Sequence, residues 1–333
     1  MEKVLSGIRS TGKLHLGNYF GAIQNFIKLQ HEKECYFFIA NLHALTTHND
    51  PVQLRKSVQE VLTEYIACGL DPEIAAIYIQ SDVPEITELY TLLNMLAYKG
   101  ELEKTASFKE KIKKHKENIN AGLLTYPVLM AADILIHRAH LVPVGKDQEQ
   151  HLEMARNFAL RFNHRYGEDY FPEPYAYNFT GKLVKVPGLD GNGKMGKSEG
   201  EGNALFLRDD DKTIRNKIMK AKTDSGPEKS NSEKPEEIKN LFALMSLVSQ
   251  PDTIQFFEAK WNDCTIRYGD LKKQLVEDMI QFISPIRGKI VDLDRNEKLL
   301  QQIAKKGAEK ARASAQETLK GVRELMGLTS IWK

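Results

Sequence analysis

The pattern of apolar positions divides the chain into two parts, and the first part alternates between strand-like and helix-like stretches. Residues 35–40 and 75–80 are short, largely apolar runs, typical of strands buried on both faces of a parallel sheet. Residues 20–29 and 54–66 instead repeat apolar side chains every three or four positions, which indicates amphipathic helices. Asp50 and Pro51 predict the start of the second of these helices, and Gly69 predicts its end. This alternation predicts an α/β fold with a doubly wound parallel sheet.

The later part of the chain has helical spacing without a strand-like run. A polar stretch without periodicity, residues 223–234, precedes it. Helical spacing then covers four segments, which are 238–248, 253–261, 271–283 and 299–326. We therefore predict an α/β domain over residues 1–205 and a second, all-helical domain over residues 206–294.

Length, charge and cysteine content limit the class of protein. The 333 residues favour about two domains, and a net charge of +2 means that any surface for nucleic acid must be a local patch. Cys35, Cys68 and Cys264 are widely separated, which favours neither a disulfide framework nor a zinc site and fits a reducing compartment. With no signal-peptide pattern and no apolar run approaching about 18 residues, we expect a cytoplasmic protein without a membrane partner.

A glycine-rich turn between the first predicted strand and the first predicted helix carries the first candidate chemistry. Residues 6–18 contain Gly7, Gly12 and Gly17, and the helix start that follows offers unpaired N–H groups to an anion. The turn therefore predicts a phosphate site. It is not a P-loop, because Leu14 stands where Ser or Thr would hold magnesium, and it lacks the G-x-G-x-x-G dinucleotide fingerprint.

A second glycine-rich stretch, residues 188–202, contains the lysine loop Lys194-Met195-Gly196-Lys197-Ser198. Two lysines in a loop are point charges that can follow phosphate charge as it develops. Taken alone, either stretch also fits a surface turn or a solvated linker. Together and in this order, His15-Leu16-Gly17-Asn18 and the lysine loop resemble the HIGH and KMSKS signatures of class I aminoacyl-tRNA synthetases. Asn18 and Gly196 depart from those signatures.

A single carboxylate, Asp133, lies within the apolar segment 122–136, which the pattern predicts to be a buried helix. A buried charge is costly unless it is paired, so Asp133 requires a partner, either a structural ion pair or cap, or a ligand. The segment resembles the YPxLMAADIL motif of the tryptophanyl-tRNA synthetase family, in which the aspartate accepts the indole N–H of tryptophan. The indole nitrogen is a donor only, so an acceptor in an apolar slot suits tryptophan and disfavours phenylalanine.

The resemblance extends over the whole chain and implies roles for further residues. The pattern predicts a strand over residues 141–145, which ends in a glycine, followed by a helix. Residues 141–151 match the family's VPVGxDQxxH segment, whose aspartate, here Asp147, accepts from ribose hydroxyls; without the resemblance Asp147 would be a helix N-cap. The implied catalytic set is His15, Asn18, Lys111, Lys194, Lys197 and Ser198. The implied ATP-binding set is Arg9, Ser10, Thr11, Gly17, Asn18, Gly145, Lys146, Asp147, Val184, Lys194, Met195, Gly196, Lys197 and Ser198. The implied tryptophan-binding set is Asp133, His43, Tyr126, Met130 and Gln148.

The same resemblance implies the reaction and the partners. Tryptophan is activated with ATP and passed to tRNA(Trp), with Mg²⁺ held mainly by the ATP phosphates and with no DNA partner. The first domain is then Rossmann-like and catalytic, the second recognises the anticodon, a final helix of about residues 295–333 packs back on the first, and the protein is a homodimer. A protein-bound metal is not predicted, because no carboxylate completes a set with His137, His140 and His151.

Several alternatives stay open at this level. Arg9-Ser10-Thr11 replaces the Gln-Pro-Ser of many family members, so Arg9 adds a charge near ATP or the indole. The lysine-rich stretch 101–120 is either a solvated helix face or, through Lys111 and its neighbours, a phosphate contact. The alternative functions are a tyrosyl-tRNA synthetase, which shares the fold and both signatures, and a catalytically inactive synthetase-like protein that binds nucleotide or RNA.

Overall fold

The structure is a computed structural model that describes most of the chain. The described residues are 2–10, 12–46, 50–106, 108–109, 112, 119–145, 148–177, 185–191, 193–196 and 200–330.

Among the described residues, one parallel sheet of five strands organises the first part of the chain, with the strand order β3-β2-β1-β4-β5. The strands are β1 Lys3–Arg9, β2 Glu34–Ala40, β3 Ala76–Ile79, β4 Leu141–Val142 and β5 Tyr175–Ala176. The chain places β2 and β3 on one side of β1 and then crosses to β4 on the other side. The predicted α/β fold is confirmed, and the reversal of strand order beside β1 creates the crevice in which open α/β sheets bind ligands.

Helices connect the strands and form the later part of the chain. The first crossover consists of α1 Leu16–Asn18, a π-helical turn Tyr19–Ile23 and α2 Gln24–Leu29. The other helices among the strands are α3 Asn41–Ala44, α4 Pro51–Cys68, α5 Glu85–Asn94, α6 Lys99–Leu102, α7 Ala121–Ile136 and α8 Glu149–Tyr166. The later helices are α9 Asp211–Met219, α10 Glu236–Val248, α11 Pro251–Asn262, α12 Tyr268–Asp294 and α13 Glu297–Leu325. Within the described ranges, no helix is long and apolar enough to cross a membrane.

Helix α4 illustrates how the local sequence sets these bounds. The Asp50 side chain accepts from the N–H groups of Val52 and Gln53, and Pro51 occupies the first helical position. Gly69 ends the helix in the left-handed conformation, with φ of 114°. The predicted start and end of this helix are confirmed.

Both faces of the sheet are buried, as the apolar run in β2 predicted. Successive side chains of β2 alternate between two apolar cores, the first containing Cys35, Phe37 and Ile39 and the second containing Tyr36, Phe38 and Ala40. The first core continues into helices α9 to α12, and the second includes side chains of α7, α8 and α13. The first core is therefore shared by one face of the sheet and the later helices.

Two elements differ in extent from the sequence prediction. The strand predicted over 141–145 pairs only at Leu141–Val142, because Pro143 has no N–H to donate to a neighbouring strand. The helix predicted over 271–283 extends over Tyr268–Asp294 and contains Pro285. Its later turns remain helical because apolar residues such as Ile290 are buried there.

Helix α13 lies directly against β3, the strand at one edge of the sheet. A Cβ atom on Gly307 would lie 1.7 Å from the carbonyl oxygen of Ile77, so this approach requires glycine. Gly307→Ala is therefore expected to lower the free energy of unfolding by about 2 kcal/mol or more, because backbone must move to admit the methyl group. Urea unfolding measures the change.

Gly288→Ala provides the matched control for that substitution. Gly288 lies in α12, and a Cβ atom there would meet no neighbouring atom within 4 Å. The change is expected to be neutral or to stabilise by up to about 1 kcal/mol, because alanine is the better helix former. Equal unfolding free energies for the two variants would contradict the close approach of α13 to β3.

Candidate active site

A cavity of about 600 Å³ lies at the carboxyl ends of β1, β2 and β4. Nine residues of the predicted catalytic, ATP-binding and tryptophan-binding sets line it, and they are Arg9, Asn18, His43, Tyr126, Met130, Asp133, Gly145, Gln148 and Lys194. The cavity thus unites all five members of the tryptophan-binding set with part of the ATP-binding set. Its place in the sheet is the one at which open α/β folds bind ligands.

Asp133 lies deep in this cavity, with 1% of its surface exposed. His43 Nε2 lies 2.8 Å from its Oδ2, and Gln80 Nε2 lies 2.8 Å from Oδ1 and 3.0 Å from Oδ2. A carboxylate in its ionised form only accepts, and both neighbouring nitrogens lie within donor distance of it. A carboxylate has about four acceptor sites, and Asp133 therefore keeps capacity for one further donor.

Gln80 is a site residue that the sequence analysis missed. It follows β3 directly, in the short 3-10 turn Gln80–Asp82, and it is fully buried. Its Oε1 accepts from the N–H of Leu42 at 3.0 Å, which fixes the orientation of the amide and directs its nitrogen to Asp133. Its position at the carboxyl end of a parallel strand, where open α/β sheets bind ligands, was the available signal.

Arg9 brings a positive charge into the same cavity from the end of β1. Its Nη2 donates to Tyr126 Oη at 2.9 Å, and the guanidinium carbon lies 5.4 Å from the Tyr126 ring centroid. The Tyr126 ring in turn lies 4.6 Å from that of His43 and 5.6 Å from that of His151. The guanidinium is thus held on the aromatic wall of a cavity that also contains the Asp133 carboxylate.

The turn that carries His15 is paired with a segment that follows the lysine loop. The N–H of Leu16 donates to the carbonyl of Leu205 at 2.9 Å, and the N–H of Leu207 donates to the carbonyl of Leu14 at 3.0 Å. His15 itself forms an isolated antiparallel bridge opposite Phe206. The backbone that follows the lysine loop is therefore hydrogen-bonded directly to the His15 turn.

Contacts with His15 explain why Asn18 and Gly17 occupy their positions. The Asn18 Oδ1 accepts from the N–H of His15 at 3.1 Å, so the amide caps the helix start as well as lining the cavity. A Cβ atom on Gly17 would lie 2.8 Å from the His15 imidazole, so glycine leaves room for that ring.

Some residues of the predicted sets do not line the cavity, and these are Ser10, His15, Gly17, Met195 and Gly196.

The described part of the lysine loop, Lys194 to Gly196, has one buried and one exposed side chain. Met195 is buried, and its N–H donates to the carbonyl of Val186 at 2.8 Å. Lys194 pairs with Pro187 in an isolated bridge, while its side chain is exposed and lines the cavity. Met195 therefore fixes the backbone, and the neighbouring ammonium group remains able to approach a phosphate.

The remaining predicted site residues lie outside the described part of the chain. They are Thr11, Lys111, Lys146, Asp147, Val184, Lys197 and Ser198.

His137, at the end of α7, has a structural environment rather than a metal-binding one. It is fully buried, and burial lowers its pKa to about 3, so the ring is neutral. Its Nε2 lies 2.9 Å from Tyr78 Oη, and its ring stacks on that of Tyr36 with centroids 4.3 Å apart. Among the residues that the structure describes, no group of three or more His, Cys, Asp or Glu is placed to hold a metal ion.

Comparison with known proteins places the chain in a class. The family model described as tRNA synthetases class I (W and Y) matches residues 1–284. The chain therefore belongs to the class I tRNA synthetases, as the sheet and the two signatures indicate.

Named relatives narrow this to the tryptophanyl-tRNA synthetase family. Tryptophan–tRNA ligase of Porphyromonas gingivalis is 58% identical over 327 residues, which are 98% of this chain and 99% of the relative. The corresponding ligase of Caldanaerobacter subterraneus is 42% identical over 334 residues, with 98% and 99% covered. Tryptophanyl-tRNA synthetase from Campylobacter jejuni, solved in complex with ADP and tryptophan, is 34% identical with a TM-score of 0.88, and 98% of this chain and 99% of that chain are covered. The family that the sequence resembled is confirmed, and neither alternative function is favoured.

Proposed function

We propose that the chain is a tryptophan–tRNA ligase, which activates L-tryptophan with ATP and transfers it to tRNA(Trp). The observation that carries the proposal is Asp133, a buried carboxylate in an apolar cavity that accepts from His43 and Gln80. Its remaining acceptor capacity suits the indole N–H, which is a donor only. A phenylalanine side chain would leave that acceptor without a partner, which disfavours the wrong substrate.

In the first step, a carboxylate oxygen of tryptophan attacks the α-phosphorus of ATP, and the bond to the bridging oxygen of the β-phosphate breaks. The products are tryptophanyl-adenylate and pyrophosphate. A ribose hydroxyl at the tRNA terminus then attacks the carbonyl carbon and releases AMP. Catalysis of this kind requires positioning and charge stabilisation rather than a protein nucleophile. ATP enters as its Mg²⁺ complex, with the ion held mainly by the phosphates.

The cavity supports a division of roles among its residues. Asp133, His43, Tyr126, Met130 and Gln148 hold tryptophan in this proposal, and all five line the cavity. Arg9 and Lys194 supply positive charge to the reacting carboxylate and phosphates, and Asn18 lies at the start of α1 beside them. His15, Lys111, Lys197 and Ser198 complete the phosphate contacts, while Asp147 and Val184 hold the nucleoside.

The remaining parts of the proposal concern the two domains, the homodimer and the location in the cell. Residues 1–205 form the catalytic domain, residues 206–294 recognise the anticodon, and α13 supports the catalytic domain. A homodimer interface over Leu89 to Tyr98 is supported by the exposure of Met95, at 69%, and of Tyr98, at 60%. We place the protein in the cytoplasm, where tRNA is charged.

Gln80→Leu is expected to raise the KM for tryptophan about tenfold, because Asp133 loses a donor that fixes its orientation. The KM for ATP should change little. Gln53→Leu is the control, since the Gln53 amide donates to Ser57 on α4 instead. Equal tryptophan KM values for the two variants would refute the positioning of Asp133 by Gln80.

The proposed function is tested by amino-acid-dependent exchange between ATP and pyrophosphate, without tRNA. The assay is run with tryptophan, tyrosine, phenylalanine and no amino acid. Exchange with tryptophan alone is expected. Exchange with tyrosine would remove Asp133 as an indole acceptor, and the lack of exchange with all three would support the inactive, binding-only alternative.

A further inference from the structure

Glu64, on α4, is a fully buried carboxylate outside the cavity. Its Oε2 accepts from the backbone N–H of Leu14 at 2.5 Å, and its Oε1 accepts from Nε of Arg208 at 2.5 Å. Burial raises the pKa of Glu64 to about 7 against the opposing effects of Leu14 N–H and Arg208. A buried ion pair often stabilises a fold no better than apolar side chains of equal volume, so stability alone does not account for Glu64.

Leu14 directly precedes His15, and two contacts hold the Leu14 backbone. The N–H of Leu14 donates to Glu64, and the carbonyl of Leu14 accepts from the N–H of Leu207 at 3.0 Å. Both peptide groups of Leu14 are therefore fixed, each by a different part of the chain. The direction in which the backbone enters the His15 turn depends on the position of Glu64.

Arg208 extends this contact to the later helices. It immediately follows Leu207, and while its Nε donates to Glu64, its two terminal nitrogens donate to the carboxylate of Asp294 at the end of α12. The planar guanidinium can bind two carboxylates at once, which a lysine ammonium does far less well. One side chain thus joins α4, the backbone paired with the His15 turn, and α12.

We propose that Glu64 is a positioning residue for the phosphate-binding turn at His15, and that Arg208 and Asp294 couple this turn to helix α12. The proposal rests on the proposed function, in which His15 contacts ATP. A displacement of α12 relative to α4 would draw Arg208 away from Glu64 and loosen one of the two anchors of Leu14. The orientation of the later helices would then change the rate of adenylate formation without altering the tryptophan pocket.

Glu64→Gln tests the first part of the proposal. Glutamine retains the size of the side chain and an acceptor for Leu14 N–H, but it lacks the charge that holds Arg208. The kcat for exchange is expected to fall about tenfold or more, while the KM for tryptophan stays within about twofold. Arg208→Lys should lower the kcat in the same way. The double variant should lower the kcat little more than either single change, since both changes break the same contact between Glu64 and Arg208.

Asp294→Asn tests the coupling to α12. Arg208 then retains Glu64 but loses its charged partner on α12, and the kcat is expected to fall about threefold with an unchanged KM for tryptophan. An unchanged kcat for Asp294→Asn would overturn the coupling.

Arg287→Lys is the matched control for these variants. Arg287 also extends from α12, and it donates to the carbonyl of Asp209 and to the carboxylate of Asp211, both at 2.6 Å, rather than to Glu64. The kcat of Arg287→Lys should equal that of the wild-type protein.

A wild-type kcat for Arg208→Lys would overturn the proposal, even if Glu64→Gln fails to fold. Equal rises in the KM for ATP and for tryptophan at wild-type kcat would also overturn it. If the wild-type protein shows no exchange with tryptophan, the proposed function itself fails.

Discussion

Asp133→Ala is expected to raise the KM for tryptophan about 100-fold in the exchange assay, while the KM for ATP stays within about twofold. The substitution removes the proposed acceptor for the indole N–H, and hydrogen bonds to charged groups contribute about 1.5–3 kcal/mol. It also leaves His43 and Gln80 without the carboxylate to which both donate. The loss should therefore fall on tryptophan, since Asp133 and His43 line the cavity and Gln80 holds Asp133 in place.

Asp82→Asn is the control for that experiment. Asp82 lies in the same 3-10 turn as Gln80, but its side chain is exposed, so the tryptophan KM should not change. An unchanged tryptophan KM in Asp133→Ala would rule out Asp133 as the indole acceptor. Its buried hydrogen bonds would then be structural only.

Lys194→Ala is expected to lower the rate of adenylate formation by about 100- to 1000-fold, with a change of less than about threefold in the KM for ATP. An exposed ammonium group at the edge of the cavity can approach the phosphates most closely as charge shifts toward the leaving pyrophosphate. Lys197→Ala is expected to behave in the same way. A group that acts mainly in the transition state reduces kcat and spares ground-state binding.

Lys185→Ala controls for the loss of one positive charge near the loop. Lys185 is exposed and precedes the loop, but it does not line the cavity. Its kcat is expected to match that of the wild-type protein. If Lys194→Ala weakens ATP binding as much as it lowers the rate, Lys194 is an ordinary binding residue.

The sequence predicts most of the sheet because most strands are marked by a run of neighbouring apolar residues. The run at 35–40 is apolar at every position, and β2 does expose its two faces to two different cores. Asp133 could be singled out because it is the one charge in an apolar helix. β4 is shorter than predicted, since apolar character does not show that Pro143 interrupts pairing.

The rest of the site depends on contacts between distant residues. Gln80 ends a strand as many polar residues do, and only the fold places its amide 2.8 Å from Asp133. Glu64 lies between apolar residues of an amphipathic helix, where spacing alone does not show whether a glutamate faces solvent or the interior. Its partners, Leu14 and Arg208, lie far away along the chain, so no local pattern predicts them.

The contact between Gly307 and Ile77 has a consequence for biosynthesis. β3 is an edge strand, and unpaired edge strands promote association between chains. Its neighbour α13 begins about 200 residues after β3 ends, so at about 5–20 residues per second the ribosome exposes this edge for about 10–40 s before α13 is made. The nascent chain therefore passes through a period in which aggregation competes with folding, and its solubility in the cell depends on chaperones or on the rate of translation during that interval.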